Sequence, residues 1–231
     1  MDPHTDRVPA RACLPLTYLG PVSFFSKFLL HTEIFIECHD HYQKQTYRNR
    51  CRIYTANGPL SLTIPILAGS VHKIPVRDVR IDNGRSWKRL HVKGIESAYR
   101  SAPYYEYYID SFLPYYNKEY SFLLDFNLDL QSVLLGQLNI QTVVVQTDTY
   151  LHDTGEEMAD YREVIHPKKS LAADPYFTPL PYSQVFLERF GFIPNLSVID
   201  LLFNMGPEST EVLRKSITSI RKKLGGEVTG S

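Results

Sequence analysis

Three arginines, Arg48, Arg50 and Arg52, occupy alternate positions in the run YRNRCRIYTANGPLSLTIPI. A guanidinium is well suited to hold a phosphate or carboxylate, because it is always charged and donates in a bidentate fork. In an extended strand over 48–54, Arg48, Arg50, Arg52 and Tyr54 share one face and Asn49, Cys51 and Ile53 the other, since side chains alternate with period two. Asn57-Gly58 predicts a tight two-residue turn with positive φ at both positions, and Leu60, Leu62, Ile64 and Ile66 alternate on the returning strand. The same arginines have an internal use as partners of Glu33, Glu37 or Asp200. Exposed pairs of that kind contribute only about 0–1 kcal/mol, so this use requires burial.

Acid–base candidates lie elsewhere in the chain. Cys38-His39-Asp40-His41 contains metal-ligand types, but no second His/Cys cluster follows at zinc-site spacing, so no metal is expected. His39 and His41 are then either a polar strand-to-loop junction or a general base, since imidazole titrates near neutral pH. Trp87, His91, Ile95 and Tyr99 recur every four residues on one helical stripe, which makes His91 either a satisfied core residue or a base facing a pocket beside Trp87. Asp200 and Asn204 share a face of a helix that is apolar nearly all round. A buried carboxylate there needs backbone, an arginine or a ligand as partner. Many of the 16 tyrosines fall at 99–120, as core edges and an interface or as a stacking wall for a sugar or base.

The elements that position these groups read as α/β. Residues 12–18 form a strand, a helix runs over 21–30 with Phe24, Phe25, Phe28 and Leu29 as its apolar face, and Glu33–Glu37 form a second strand, together one parallel β-α-β unit. Such sheets place ligands at the carboxyl ends of their strands, here 17–20 and 38–41, and the helix N-terminus at Pro21 would attract phosphate. Further strands are expected at 76–82, 141–146 and 161–165, and helices at 87–99, 104–112, 121–137 and from 197, capped by Ser197. Residues 147–160 read as an acidic exposed loop and 166–183, with four prolines, as an ordered tether. The expected fold is a mainly parallel Rossmann-like sheet with flanking helices, interrupted by an inserted hairpin and Tyr-rich helical segment at 41–120. A flexible N-terminus over 1–11 precedes the 12–207 domain, and an exposed helix to about Leu224 and a disordered tail make up 208–231.

A chain of 231 residues buries roughly 70% of its unfolded surface, and its formal net charge of zero argues against nucleic acid or an anionic membrane as partner. The three cysteines form no CxxC pair, and there is neither a signal-peptide h-region nor a run of about 18 apolar residues. A cytoplasmic protein without a membrane span is therefore expected.

The strings LTYLGPVSFFSKFL, Tyr47-Arg48-Asn49-Arg50 with NGPLSLTIPI behind it, WKRLHVKGIESAYRSAPYYEYY and PNLSVIDLLFNMG resemble, in order, blocks of the WbqC-like family, over about residues 12–207. Leu16-Thr17-Tyr18-Leu19 stands where a Gln-Pro-x-Tyr loop is usual, and Tyr18 keeps the aromatic position. The resemblance implies a role in surface-polysaccharide or O-antigen biosynthesis and selects Asn49-Arg50, His91 and the Asn195–Asn204 block. A transferase would bind an anionic or sugar-phosphate ligand through Tyr18, Asn49, Arg50, Trp87, Tyr99, Asn195 and Asn204, with His91, His39 and Asp200 for acid–base work. A non-catalytic assembly protein, with its tyrosines as an interface and self-association into a homo-oligomer, is the alternative.

Overall fold

A computed structural model describes residues 8–67 and 74–218. Residues 1–7, 68–73 and 219–231, which include the last part of the expected C-terminal helix and the expected tail after Leu224, lie outside the described residues. Strand β1 (Arg11–Pro15) leads through helix α1 (Val22–Leu30) into β2 (Glu33–Glu37), in the parallel register Ala12↔Ile34 and Leu14↔Ile36, as the β-α-β reading requires. β1 opens at Arg11, inside the segment expected to be a flexible terminus. α1 is buried around its whole circumference from Val22 to Phe28, with Phe24, Phe25 and Phe28 in mutual ring contact at 5.3–5.7 Å. Each such ring contributes about 1.5–3 kcal/mol.

The hairpin follows as β3 (Arg50–Thr55) and β4 (Gly58–Thr63), antiparallel with Cys51↔Leu62 and Thr55↔Gly58 paired. Its turn differs from the expected one. Ala56 and Asn57 form the connection, and of the Asn57-Gly58 pair only Gly58 has positive φ, at 93°. The Thr55 hydroxyl accepts from the Asn57 amide and donates to the Gly58 carbonyl, which does locally what a second positive φ would have done. Leu62 and Ile64 point inward, whereas Leu60, near the hairpin tip, is exposed.

Residues 76–82 do not form the expected strand. Val76–Asp78 is a 3-10 turn whose amides bond the carbonyls of Asp40 and Cys38, so the segment fastens the loop after β2 while Val76, Val79 and Ile81 fill the core. Four helices follow: α2 (Trp87–Tyr99), α3 (Tyr105–Tyr108) and α4 (Leu113–Asn117) within the expected 41–120 segment, and α5 (Leu123–Gln137) after it. Ser86 precedes α2 without a side-chain capping bond, and Pro114 begins α4 rather than ending a helix, as its fixed φ allows.

The chain then returns to the first sheet as β5 (Val143–Gln146), parallel to β2, and β6 (Met158–Asp160), parallel to β1, in the order β5-β2-β1-β6. The two-stranded hairpin is a separate sheet. β6 lies within the stretch expected to be an acidic loop, and the expected strand at 161–165 is a turn closed by the Ile165 amide on the Tyr161 carbonyl. A short α6 (Leu187–Phe190), the buried α7 (Val198–Met205) and α8 (Ser209–Lys215) finish the described fold. α8 ends well short of Leu224 and buries Val212 and Leu213, in contrast to the exposed helix expected. Gly206 ends α7 with φ 53°, where a Cβ would lie 2.5 Å from the Tyr104 ring, so only glycine fits.

Candidate functional site

All four strands of the larger sheet run the same way, so their carboxyl ends form one edge. The order β5-β2-β1-β6 sends the chain from β1 to one side through β2 and brings β6 to the other. The crevice beyond β1 and β6 is therefore the topological switch point, where sheets of this kind bind ligands. Loops 16–20, 38–49 and 161–166 meet there. The Tyr18 amide donates to the Tyr47 carbonyl at 2.8 Å, and Gln43 Nε2 to Glu163 Oε1 at 3.5 Å.

A charge clamp crosses this edge. Glu37, 1% exposed at the end of β2, accepts from the His39 amide and Thr147 hydroxyl on Oε1 and from the Leu151 amide and Arg162 Nη1 on Oε2. Arg162 also donates through Nε and Nη2 to Asp160 and through Nη1 to the Leu151 carbonyl, with its plane over the Tyr150 ring. Burial by itself would raise the Asp160 carboxyl, but the hydrogen bonds and charge of Arg162 leave it lowered. Arg162 is consumed by the fold. Glu37, expected as a partner for the hairpin arginines, belongs to it instead.

The hairpin arginines divide. Arg48 is 3% exposed, ion-pairs with Asp40, and presents its carbonyl to Asn127 Nδ2 at 2.7 Å, so it is an interior residue. Asn49 clips β3 to the end of β4, donating from Nδ2 to the Ile64 carbonyl at 2.9 Å while its own carbonyl accepts the Ile64 amide. Arg50 is half-buried and has neither ion pair nor side-chain hydrogen bond among the described residues, and its Nε is buried without a partner. Thr17 Oγ1 and Arg48 Nε, also at this edge, are buried and unpartnered too. Burial raises the nearby Tyr42 hydroxyl, and the charges of Arg50 and Arg48 partly offset that, which places both arginines beside it.

The remaining candidates occupy other places. His39 is half-buried in a cleft of about 480 Å³ on the β5 side, with Cys38, Arg77, Asp125 and Thr147; burial pushes the Cys38 thiol up to about 11, so it is no thiolate nucleophile. His91 is enclosed, with Nδ1 2.8 Å from the Tyr18 hydroxyl, which is 2.6 Å from that of Tyr116, while the Thr63 backbone bonds the imidazole as well. Burial brings its pKa down to about 4, so it is neutral at pH 7. Trp87 stands edge-on to His91 at 5.1 Å.

Asp200 is fully buried and accepts from the Tyr182 hydroxyl at 2.7 Å and Gln184 Nε2 at 2.9 Å, where side chains rather than the expected backbone or arginine serve as partners. Burial raises it to about 6, against those bonds and the nearby Tyr99 hydroxyl, although Oδ1 closes no full hydrogen bond. Tyr99 accepts the Tyr54 amide at 3.0 Å, and Asn204 donates to the Asp200 carbonyl in its own helix at 2.7 Å. Asn195, at φ 55°, places Oδ1 2.8 Å from the Ser23 amide, and the Leu196 carbonyl takes the Val22 amide. The N-terminus of α1 is thus occupied by protein, and the phosphate cradle expected at 17–21 is closed. Arg50, His91 and Asp200 do not meet in the wall of any one of these clefts.

One buried pair carries no pattern signal at all. Lys27, 0% exposed within α1, lies 2.6 Å from Asp174 and over the Tyr161 ring at 4.7 Å, and His31 Nε2 is 3.0 Å from the Tyr161 hydroxyl. Desolvation lowers the Lys27 ammonium, with Asp174 opposing. The pair anchors the tether from 166 to 183 on α1. Among the described residues no group of three or more His, Cys, Asp or Glu side chains is arranged to hold a metal ion. No helix of the described chain is long and apolar enough to cross a membrane.

Comparison with known proteins adds two findings. The model of the WbqC-like protein family matches residues 17–181. The uncharacterized protein Rv1507c of Mycobacterium tuberculosis (strain ATCC 25618 / H37Rv) is 26% identical over 219 residues, covering 85% of this chain and 91% of its own. No solved structure matches.

Proposed function

The chain belongs to the WbqC-like protein family, and from that premise we propose that it is an enzyme of surface-polysaccharide or modified-sugar biosynthesis, a transferase that holds an anionic or activated substrate on Arg50. The observation that carries the reading is the state of Arg50: half-buried, unpaired among the described residues, and with an Nε that nothing satisfies. A buried donor without a partner costs about 1–3 kcal/mol, and a phosphate or carboxylate approaching the guanidinium removes that cost with a charge-assisted bond. Asn49 fixes the start of β3 and hence the direction in which Arg50 leaves it.

The tyrosines support this reading over an assembly protein. Tyr99, Tyr105, Tyr108, Tyr116 and Tyr120 are core residues, and Tyr107 is the one strongly exposed member of the cluster, which leaves no aromatic interface patch there. The test is titration of wild type and Arg50→Ala with a panel of nucleotide sugars, by calorimetry and thermal shift. Loss of binding with no fall in melting temperature is expected. Binding equal to wild type, or a large stability loss with no binding phenotype, removes Arg50 from the site.

A further inference from the structure

Away from the sheet edge, α2, α4 and the turn at 83–85 enclose a cleft of about 580 Å³, within the roughly 300–1,000 Å³ range of small-molecule sites. Its wall carries Arg85, Lys88, Arg89 and Lys93 against Glu96 and Glu119, a local cationic excess in a chain whose formal net charge is zero. Three of these six charges have protein partners. Arg85 reaches Asp82 at 3.1 Å, Lys88 Nζ donates to the Lys118 carbonyl at 2.5 Å, and Glu96 faces Arg100 at 3.7 Å. Arg89 and Lys93 have no ion pair among the described residues, and they stand one helical turn apart, where like charges repel. A bound dianion converts that repulsion into two attractions. Asn117, whose side chain makes no hydrogen bond within the described chain, offers the same cleft a donor and an acceptor for hydroxyls.

We propose that this cleft is a second ligand site, taking an organic phosphate of monosaccharide size with its phosphate on Arg89 and Lys93. It is independent of the Arg50 reading. Trp87, the single tryptophan of the chain, lines the cleft with Lys88 Nζ 5.9 Å over its ring, so an anion that redirects the ammonium changes the field at the indole.

Trp87 emission is therefore the readout, titrated with glucose 1-phosphate and, separately, with neutral glucose. A saturable change with glucose 1-phosphate alone is expected, weakened about tenfold or more in R89E/K93E and to a lesser degree in R89Q/K93Q, and retained in Arg50→Ala. Both substituted residues, Arg89 and Lys93, have exposed side chains, so the two double variants keep the fold. No saturable change in wild type, equal affinity in R89E/K93E, an equal response to glucose, or loss of the signal in Arg50→Ala would each overturn the proposal.

Discussion

Arg162 and Arg50 both bring a guanidinium to the carboxyl edge of the sheet, but Arg162 is enclosed by Asp160, Glu37 and the Leu151 carbonyl, whereas Arg50 meets no carboxylate among the described residues. Burial alone does not separate a structural cation from a binding one, since Arg48 is as buried as Arg162 and also serves the fold. What separates them is the counter-ion: Arg48 and Arg162 each hold a carboxylate of the fold, whereas Arg50 has none among the described residues and keeps its charge for something still to bind.

The comparison breaks first at Arg162. Arg162→Ala leaves Glu37 buried without its cation, and a loss of about 3–5 kcal/mol is expected, seen as a melting temperature lower by on the order of 10 °C. A melting temperature close to wild type would mean that the clamp is not structural. Lys27→Met should be nearly as costly, at about 3–5 kcal/mol in urea denaturation, because it strands Asp174; the pair K27M/D174L should recover most of that loss. If the double variant is as unstable as the single ones, the interaction lies elsewhere.

His91 gives a third, pH-dependent expectation. Its folded pKa is depressed from 6.5 to about 4, so its contribution is full above pH 6.5 and is lost as pH falls through 4, an effect of about 3 kcal/mol. Unfolding free energies measured across that window should fall less steeply in His91→Gln. Asp200 acts in the opposite sense, since its raised pKa favours the protonated form, a contribution present below 3.8 and lost as pH rises through about 6. Arg50→Ala has the smallest stability cost, because losing the guanidinium also removes its unpartnered donor, and it should alter ligand affinity most.

Much of the frame is legible in the chain. β2, α2 and α5 follow from apolar period and turn residues alone, and the β-α-β unit from the order of β1, α1 and β2. The failures have local causes. Met158–Asp160 has no apolar run of its own and is a strand only because β1 offers it a partner, while Val76–Ile81 alternates like a strand but bonds the Cys38 and Asp40 carbonyls as a 3-10 turn. The site is less legible than the frame. The family resemblance selects Asn49 and Arg50 as candidates, but nothing near Glu37 in sequence points to Arg162, 125 residues on. A lysine beside phenylalanines in α1 gives no sign that Asp174 will enclose it.

Asn195 seats its side chain on the first turn of α1 across 172 residues of chain, and the segment from 196 to 198 stitches the same helix start to the rest of the molecule. Folding is therefore bound to a late event. During synthesis, α1 and β2 emerge long before the residues that close their end, and β1 waits for β6 in the same way. Contacts of such separation carry a high loop-closure cost before they are rewarded, which makes for slow folding. A nascent chain stopped before Asn195 holds the phenylalanine-rich α1 with an open end, so this helix reaches its native state only after the residues from 195 to 198 have been made.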